Sequence, residues 1–209
     1  EGILPEHEAV RNAAGIFDVS HMGEVDVVGP QAADFVQNLV TNDIAALQDN
    51  QVMYALMCYE DGGIVDDLLI YKFSTEHFYL VINASNVAKD FQWMLDNQKD
   101  YQVELKNISD EVSEVALQGP KAQEILQKLT AASLDEIKFF FFQRDVMVAG
   151  IKCLISRTGY TGEDGFEIYT SSNDIQKVWA AVMEAGKDLG LKPCGLGCRD
   201  TLRFEATLP

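Results

Sequence analysis

The sequence predicts an α+β fold made of two internally related halves, each a sheet with helices packed on it. Three observations predict it. Short strand-like runs rich in Val, Ile, Leu, Phe and Tyr are interspersed with helix-like runs, with no strict βαβ alternation. A Gly-Pro pair occurs at Gly29-Pro30 and again 90 positions later at Gly119-Pro120. Each pair opens an amphipathic pattern: Ala32, Phe35, Val36 and Leu39 in the first, Ala122, Ile125, Leu126 and Leu129 in the second. A further helix pattern also repeats, with Val87, Phe91 and Leu95 matched 88 positions later by Ile175, Trp179 and Met183. A repeat of this length exceeds the ~20–50 residues of a solenoid unit. It places the halves at about 1–100 and 101–209, with no Ser/Gly/Pro-rich linker between them.

Taken in order, Pro5 to Ala14 reads as a short helix with proline at its start. Strands follow at Ile16 to Val19 and Val25 to Val28, around the turn Ser20-His21-Met22-Gly23. After the first Gly-Pro helix come strands at Gln51 to Tyr59, Gly62 to Lys72 and Phe78 to Ile82. Ser85 or Asn86 caps the helix that buries Val87, Phe91 and Leu95. In the second half, strands at Val146 to Val148, Lys152 to Ser156 and Phe166 to Tyr169 precede a helix from Asn173. Gly195 to Ala206 forms the last helix.

The stretch GGIVDDLLIYK, Gly62 to Lys72, carries the strongest chemical signal. Its apolar residues predict a strand covered on both faces, with two successive aspartates at its centre. Side chains alternate along a strand, so Asp66 falls with Ile64, Leu68 and Ile70, and Asp67 with Val65, Leu69 and Tyr71. A carboxylate in such a setting finds a partner or shifts its pKa. A carboxylate and a phenol on one face of an apolar floor suit a ligand with ring nitrogens. A strand-edge or turn role, meeting water or backbone N–H groups, is open for both aspartates; for Asp66 it stands level with function, and for Asp67 the Tyr71 on its face favours function.

Composition sets bounds. The 209 residues suit one large domain or two small ones, and 47% are apolar. No apolar run approaches the ~20 residues that span a bilayer, and no leader pattern is present. The opening at Glu1 without Met and the close just after a helical pattern point to a piece of a longer protein. A net charge of −17 argues against a nucleic-acid or anionic-membrane surface. The cysteines are Cys58, Cys153, Cys194 and Cys198, and only Cys194 and Cys198 are close in sequence. Without a second pair or nearby histidines they read as reduced core thiols and not as a metal site, which fits a cytoplasmic or organelle-matrix compartment.

The run RTGYTGEDGFE, Arg157 to Glu167, places Gly159, Gly162 and Gly165 every third residue, so its backbone is tightly folded or closely approached. It lacks the strand-to-helix context of a dinucleotide fingerprint and the alternating carboxylates of a calcium loop. Glu167 opens a strand; a solvated edge position and a ligand contact are both open. Arg199 and Arg203 lie at i, i+4 on the last helix, either salt-bridged at the surface or offered to an anion.

FDVSHMGE (Phe17 to Glu24), LVTNDI (Leu39 to Ile44), GGIVDDLLIYK, ALQGPKA (Ala116 to Ala122), RTGYTGEDGFE and GLGCRDTLRFEA (Gly195 to Ala206) together resemble the aminomethyltransferase, or T-protein, family of the glycine cleavage system. Any one of these runs is weak; six in the same order across nearly the whole chain are specific. The resemblance implies two related halves packed around a folate pocket, with a short N-terminal segment and a C-terminal barrel domain outside this chain. It implies transfer of an aminomethyl group from the lipoyl arm of H-protein to tetrahydrofolate, with release of ammonia and formation of methylenetetrahydrofolate, and no metal. It implies that Asp67, the second aspartate of the G-G-x-x-D-D strand, is catalytic, and that Glu167 and Arg199 bind ligand. Tyr54, Tyr71 and Asn83 match positions near the ring, the Gly159 to Gly165 loop with Tyr160 lines the pocket, and for Met22 an apolar ligand contact and a core-filling role are equally open. The compartment implied is the cytoplasm in a bacterium or the mitochondrial matrix in a eukaryote.

The chain departs from the family pattern at Cys198, where a small residue is common, at Thr207, where glycine is common, and at Phe139 to Phe142, where relatives often carry tyrosines. Two other readings share the motifs: the folate domain of a dimethylglycine or sarcosine dehydrogenase, and a folate-binding relative without transferase activity. The second usually lacks the paired-aspartate strand, which is present here.

Overall fold

A computed structural model describes residues 2–209. In chain order its elements are α1 (Ile3–Asn12), β1 (Ala14–Asp18), β2 (Gly23–Val28), α2 (Ala32–Leu39), β3 (Val52–Cys58), β4 (Ile64–Ser74), β5 (His77–Ile82), α3 (Val87–Gln98) and β6 (Glu104–Asn107). The second stretch holds β7 (Val112–Gln118), α4 (Ala122–Gln127), β8 (Phe142–Val148), β9 (Ile151–Ser156), β10 (Gly165–Ser171), α5 (Ile175–Gly186), β11 (Leu191–Cys194) and α6 (Leu196–Glu205). The α+β class and the order of elements agree with the repeat: β2-α2-β3-β4-β5-α3-β6 matches β7-α4-β8-β9-β10-α5-β11.

The chain forms two compact units, His21–Glu111 and a second made of the residues up to Ser20 with Val112–Pro209. The sequence expectation of halves near 1–100 and 101–209 differs from this at both ends. α1 and β1 belong with the second stretch, because β1 enters its sheet between β11 and β7, parallel to the first and antiparallel to the second. That sheet runs β11-β1-β7-β10-β9-β8, and the other runs β3-β4-β5-β2-β6. In the smaller unit β6 pairs directly with β2, whereas β1 takes the corresponding place beside β7.

Both Gly-Pro turns use glycine for the same reason. Gly29 and Gly119 sit at φ 151° and 122°, and a Cβ on either would fall within 2.6 Å of a backbone carbonyl oxygen. The α2 stripe of Ala32, Phe35, Val36 and Leu39 is buried as its spacing predicts. In the related helix Leu129 falls beyond α4 and is only partly buried.

The α3 stripe differs from the expected one. Leu95 is 38% exposed, and the fully buried positions are Asp90 and Met94. α5 shows the same phase, with Val178 and Val182 fully buried and Ile175, Trp179 and Met183 flanking them. Residues at i, i+4, i+8 drift around a helix of 3.6 residues per turn, so the stripe facing the sheet runs through 87, 90, 91 and 94 instead. A carboxyl at the centre of that stripe reads as a surface residue in sequence, which hid the true phase.

Candidate functional site

β4 lies between β3 and β5, so its backbone groups are paired on both sides. The pairing with β3 slips between Met57 and Cys58, giving β4 one extra residue around Val65. The bulge sends Val65 into the core with Leu68 and Ile70 and leaves Ile64 61% exposed, against the expectation that both were held by simple alternation. From Asp66 onward alternation holds. Asp66 shares the helix-covered face with Leu68 and Ile70, and Asp67 shares the opposite face with Leu69 and Tyr71.

The sheet register assembles further residues on the Asp67 face. Tyr54 of β3 pairs with Leu69, and Tyr71 of β4 pairs with Tyr79, whose ring it meets edge-on at 5.8 Å. Asn83 follows Ile82, which pairs with both Leu68 and Gly23, so Asn83 comes opposite Asp67 and Met22 opposite Asn83. Asp67, Asn83, Tyr54, Tyr71 and Met22 therefore share one face of one sheet. Tyr71 is buried, Asp67, Asn83 and Met22 are half-buried, and Tyr54 is exposed. Gly23 of the H-M-G turn serves a neighbouring contact: a Cβ there would lie 2.5 Å from Val87 Cγ2, so glycine lets α3 close on β2.

Asn83 holds both aspartates. Its Nδ2 donates to Asp67 Oδ1 at 2.9 Å, to Asp67 O at 3.1 Å and to Asp66 Oδ1 at 3.0 Å. Burial opposes the ionised form of Asp66, but hydrogen bonding from Asp90, Asn86 and Asn83 outweighs it and holds its pKa below the ordinary aspartate value. Glu24, also on the non-core face of β2, is fully buried, and neither carboxyl oxygen has a hydrogen-bond partner among the described residues. Burial pushes its pKa up to about 8. Sequence reading passed over Glu24 and Asp90 because nothing in their local spacing separates a buried acid from a surface one.

Glu167, Tyr160 and Arg199 belong to the other unit. Glu167 lies on β10, an inner strand between β7 and β9, and is buried. The solvated-edge alternative for it does not hold, and Thr158 Oγ1 donates to its Oε2. The Arg199 guanidinium stacks on the Tyr160 ring at 4.6 Å and has no ion-pair partner among the described residues. Arg203, its neighbour one turn on, is bound to Asp200.

The glycine-rich loop is folded around one side chain. Gln118 donates to Thr158 O at 3.0 Å and accepts from Thr161 Oγ1 at 2.8 Å. A Cβ on Gly159 or Gly165 would meet its amide at 2.5 Å or less. Arg157 closes the loop base with two hydrogen bonds to Asp164, 2.9 and 2.6 Å. Arg11 ties the loop to α6 through Thr161 O, Glu163, Leu202 O and Glu205.

Among the described residues one group, Glu6, Cys194 and Cys198, could converge on a cation. Its carboxylate is engaged by the backbone N–H groups of Gly2 and Gly195, and burial raises both thiol pKa values, so the thiols remain protonated. A groove of about 600 Å³ lined by Cys58, Tyr59, Trp93, Asn97 and Tyr101 contains none of the candidate residues. No helix among the described residues is long and apolar enough to cross a membrane.

Two repeat-related units of sheet and helix, one carrying an acid–amide–phenol cluster on a sheet face, define an α+β protein. The chain belongs to the GCVT N-terminal domain family, whose profile matches residues 1–209. It is 66% identical over its whole length to an aminomethyltransferase of Alkaliphilus oremlandii and 64% identical to one of Thermoanaerobacter pseudethanolicus, spanning 57% of each. It is similar to the glycine cleavage system aminomethyltransferase T of Bartonella henselae, with a TM-score of 0.89 at 33% identity, covering all of this chain and 55% of that one. The fold is shared at 17% identity with a chain of the heterotetrameric sarcosine oxidase of Corynebacterium sp. U-96, TM-score 0.66, over 90% of this chain and 92% of that one. The chain thus spans a little over half the length of the curated relatives it matches.

Proposed function

We propose that this chain is the folate-binding region of an aminomethyltransferase of the glycine cleavage system. The reaction moves an aminomethyl group from the lipoyl arm of H-protein to tetrahydrofolate, releases ammonia and leaves dihydrolipoyl H-protein and methylenetetrahydrofolate. The observation that carries the proposal is the half-buried Asp67 carboxylate, fixed by Asn83 and sharing its sheet face with Tyr54 and Tyr71. Such a face fits a flat ring rich in N–H donors: aromatic and apolar side chains cover the ring, and the carboxylate accepts from its edge.

The amine nitrogens of tetrahydrofolate supply the one-carbon acceptor. The chain's own part is electrostatic and positional. Positive charge develops on the transferred carbon as ammonia departs, and a fixed carboxylate in a partly dry setting stabilises that charge without reorganising. Asp67, held by the Asn83 amide, meets both conditions. In the other unit, Glu167 is a buried acceptor suited to N–H groups, and Arg199 is a cation suited to an anionic group. Both are proposed ligand residues, with Tyr160 supporting Arg199.

The test is anaerobic calorimetric titration of tetrahydrofolate into the chain and into Asp67→Asn, alongside ammonia release by the full-length protein with aminomethyl-loaded H-protein. Saturable binding with ammonia release is expected, and Asp67→Asn abolishes release. A full-length protein that binds folate but releases no ammonia points to the dehydrogenase-type or non-enzymatic alternatives. One that does not bind folate overturns the reading.

A further inference from the structure

Asp90 occupies a place that the repeat fills with a valine. Counting 88 positions on, Asp90 and Met94 of α3 correspond to Val178 and Val182 of α5, and all four are fully buried. One helix seats an aliphatic side chain against its sheet where the other seats a carboxyl. An unpaired buried charge costs several kcal/mol, so fold stability alone favours the valine. The carboxyl requires another explanation.

Asp90 of α3 and Asp66 of β4 are both buried on the helix-covered side of the sheet, and Lys89 Nζ, 3.5 Å from Asp90 Oδ1, donates to the carbonyl of Val65 beside Asp66, so the two carboxyl groups face each other. As two carboxylates they would leave Asp66 Oδ2 and both oxygens of Asp90 without a hydrogen-bond donor among the described residues. A single proton held between them removes the conflict, as two facing carboxyl groups in a dry site do not both ionise. The surrounding donors decide which one keeps it. Asp66 accepts from the Asn83 amide, which favours its ionised form. Asp90 has only Lys89, whose Nζ is 3.5 Å away and is turned to the Val65 carbonyl. Burial and the negative Asp66 push the Asp90 pKa up to about 8. The buried cation of β4, Lys72, gives its Nζ to Leu47 O.

The pair is linked to the opposite face of the sheet. Asp66 and Asp67 point to different faces, yet Asn83, just past the end of β5, reaches both. One amide nitrogen has two hydrogens and here serves three acceptors, so its orientation depends on both aspartates. We propose that Asp90 is a positioning residue for Asp67: it donates its proton to Asp66, Asp66 orients the Asn83 amide, and Asn83 fixes the Asp67 carboxylate. This rests on the reading that Asp67 is the working carboxylate. Loss of the Asp90 proton places two like charges against each other under β4 and loosens that chain.

The test has two arms. In the full-length protein, kcat for ammonia release is followed against pH for the native sequence, Asp90→Asn, Asp90→Leu and Asp67→Asn. Asparagine keeps an N–H donor towards Asp66 but does not titrate. The native kcat is expected to fall on an alkaline limb that Asp90→Asn lacks. Asp90→Leu is expected to lose about tenfold in kcat at neutral pH, the scale of a lost charge-assisted hydrogen bond, with little change in KM for tetrahydrofolate. Where Asp67→Asn has lost kcat, an alkaline limb unchanged in Asp90→Asn, or native kcat in a folded Asp90→Leu, overturns the proposal. The second arm needs no activity. In the isolated chain, the Asn83 side-chain amide and Asp67 carboxyl resonances are expected to shift with the Asp90 titration, and to stop shifting in Asp90→Asn. Absence of that coupling also overturns the proposal. Native kcat in Asp67→Asn with the coupling intact instead removes the catalytic reading of Asp67 and leaves the pair as the device that orients it.

Discussion

The side-chain nitrogen of Asn83 lies 2.9 Å from Asp67 Oδ1 and is shared with Asp66, so a single amide sets the orientation of two carboxylates on opposite faces of a strand. Replacing Asn83 with leucine removes the donor at similar size. The expected outcome is a fall of about tenfold or more in kcat for ammonia release by the full-length protein, because a hydrogen bond to a charged group contributes about 1.5–3 kcal/mol. Steady-state kinetics check it; unchanged kcat in a folded Asn83→Leu protein contradicts the role given to this amide.

Stability is expected to fall as pH rises from about 5 to 8. Glu24 is pushed up to about 8 by burial, and Asp90 to about 8 by burial and by Asp66. Between their ordinary values and 8 the folded chain holds protons that the unfolded chain has lost, so stability declines with pH over that window. Their contribution is fully present below pH 4 and lost once the folded groups ionise. Urea titrations at pH 5.5 and 8.5 measure this, and Glu24→Gln should flatten part of the slope. A slope equal to the native one in Glu24→Gln would show that Glu24 does not carry a raised pKa.

Gly159→Ala is expected to destabilise the protein by about 2 kcal/mol or more, because its new methyl overlaps the Gln118 amide. For a chain of this size that is a loss of about 5 °C in Tm. Gln118→Ala should remove the overlap, so the double variant is expected to be more stable than the sum of the two single effects. A double-mutant cycle by thermal unfolding reads the coupling; strictly additive losses would show that Gln118 does not shape the loop.

Thiol labelling should separate Cys58 from the other three cysteines. Cys153, Cys194 and Cys198 are buried and their pKa values are raised by burial, so little thiolate forms at pH 8. Cys58 is half-buried. One thiol is expected to react with an aromatic disulfide reagent in the native protein and four in denaturant. Rapid labelling of Cys194 or Cys198 in the folded protein would overturn the assignment of protonated core thiols.

Much of the fold was legible because it is written in local spacing. The two Gly-Pro turns, the α2 stripe and the alternation that separates Asp66 from Asp67 need only the geometry of a helix or a strand. So does the crowding around Gly159 and Gly165. The identity of what crowds them, the Gln118 side chain some forty positions earlier, could not be read from that spacing. The inclusion of α1 and β1 in the second unit was likewise hidden, since sequence order places them with the first.

The sequence by itself determined the α+β class, the repeat, the family and a candidate face around Asp67, because each depends on residue types at short, regular spacings. Only the tertiary structure decided which stripe of α3 faces the sheet, that Asp90 and Glu24 are buried acids, and that Asn83 joins Asp66 to Asp67. These depend on which side chains meet across elements far apart in the chain. A carboxyl's environment, and hence whether it holds a proton, is set by those meetings and not by its neighbours in sequence.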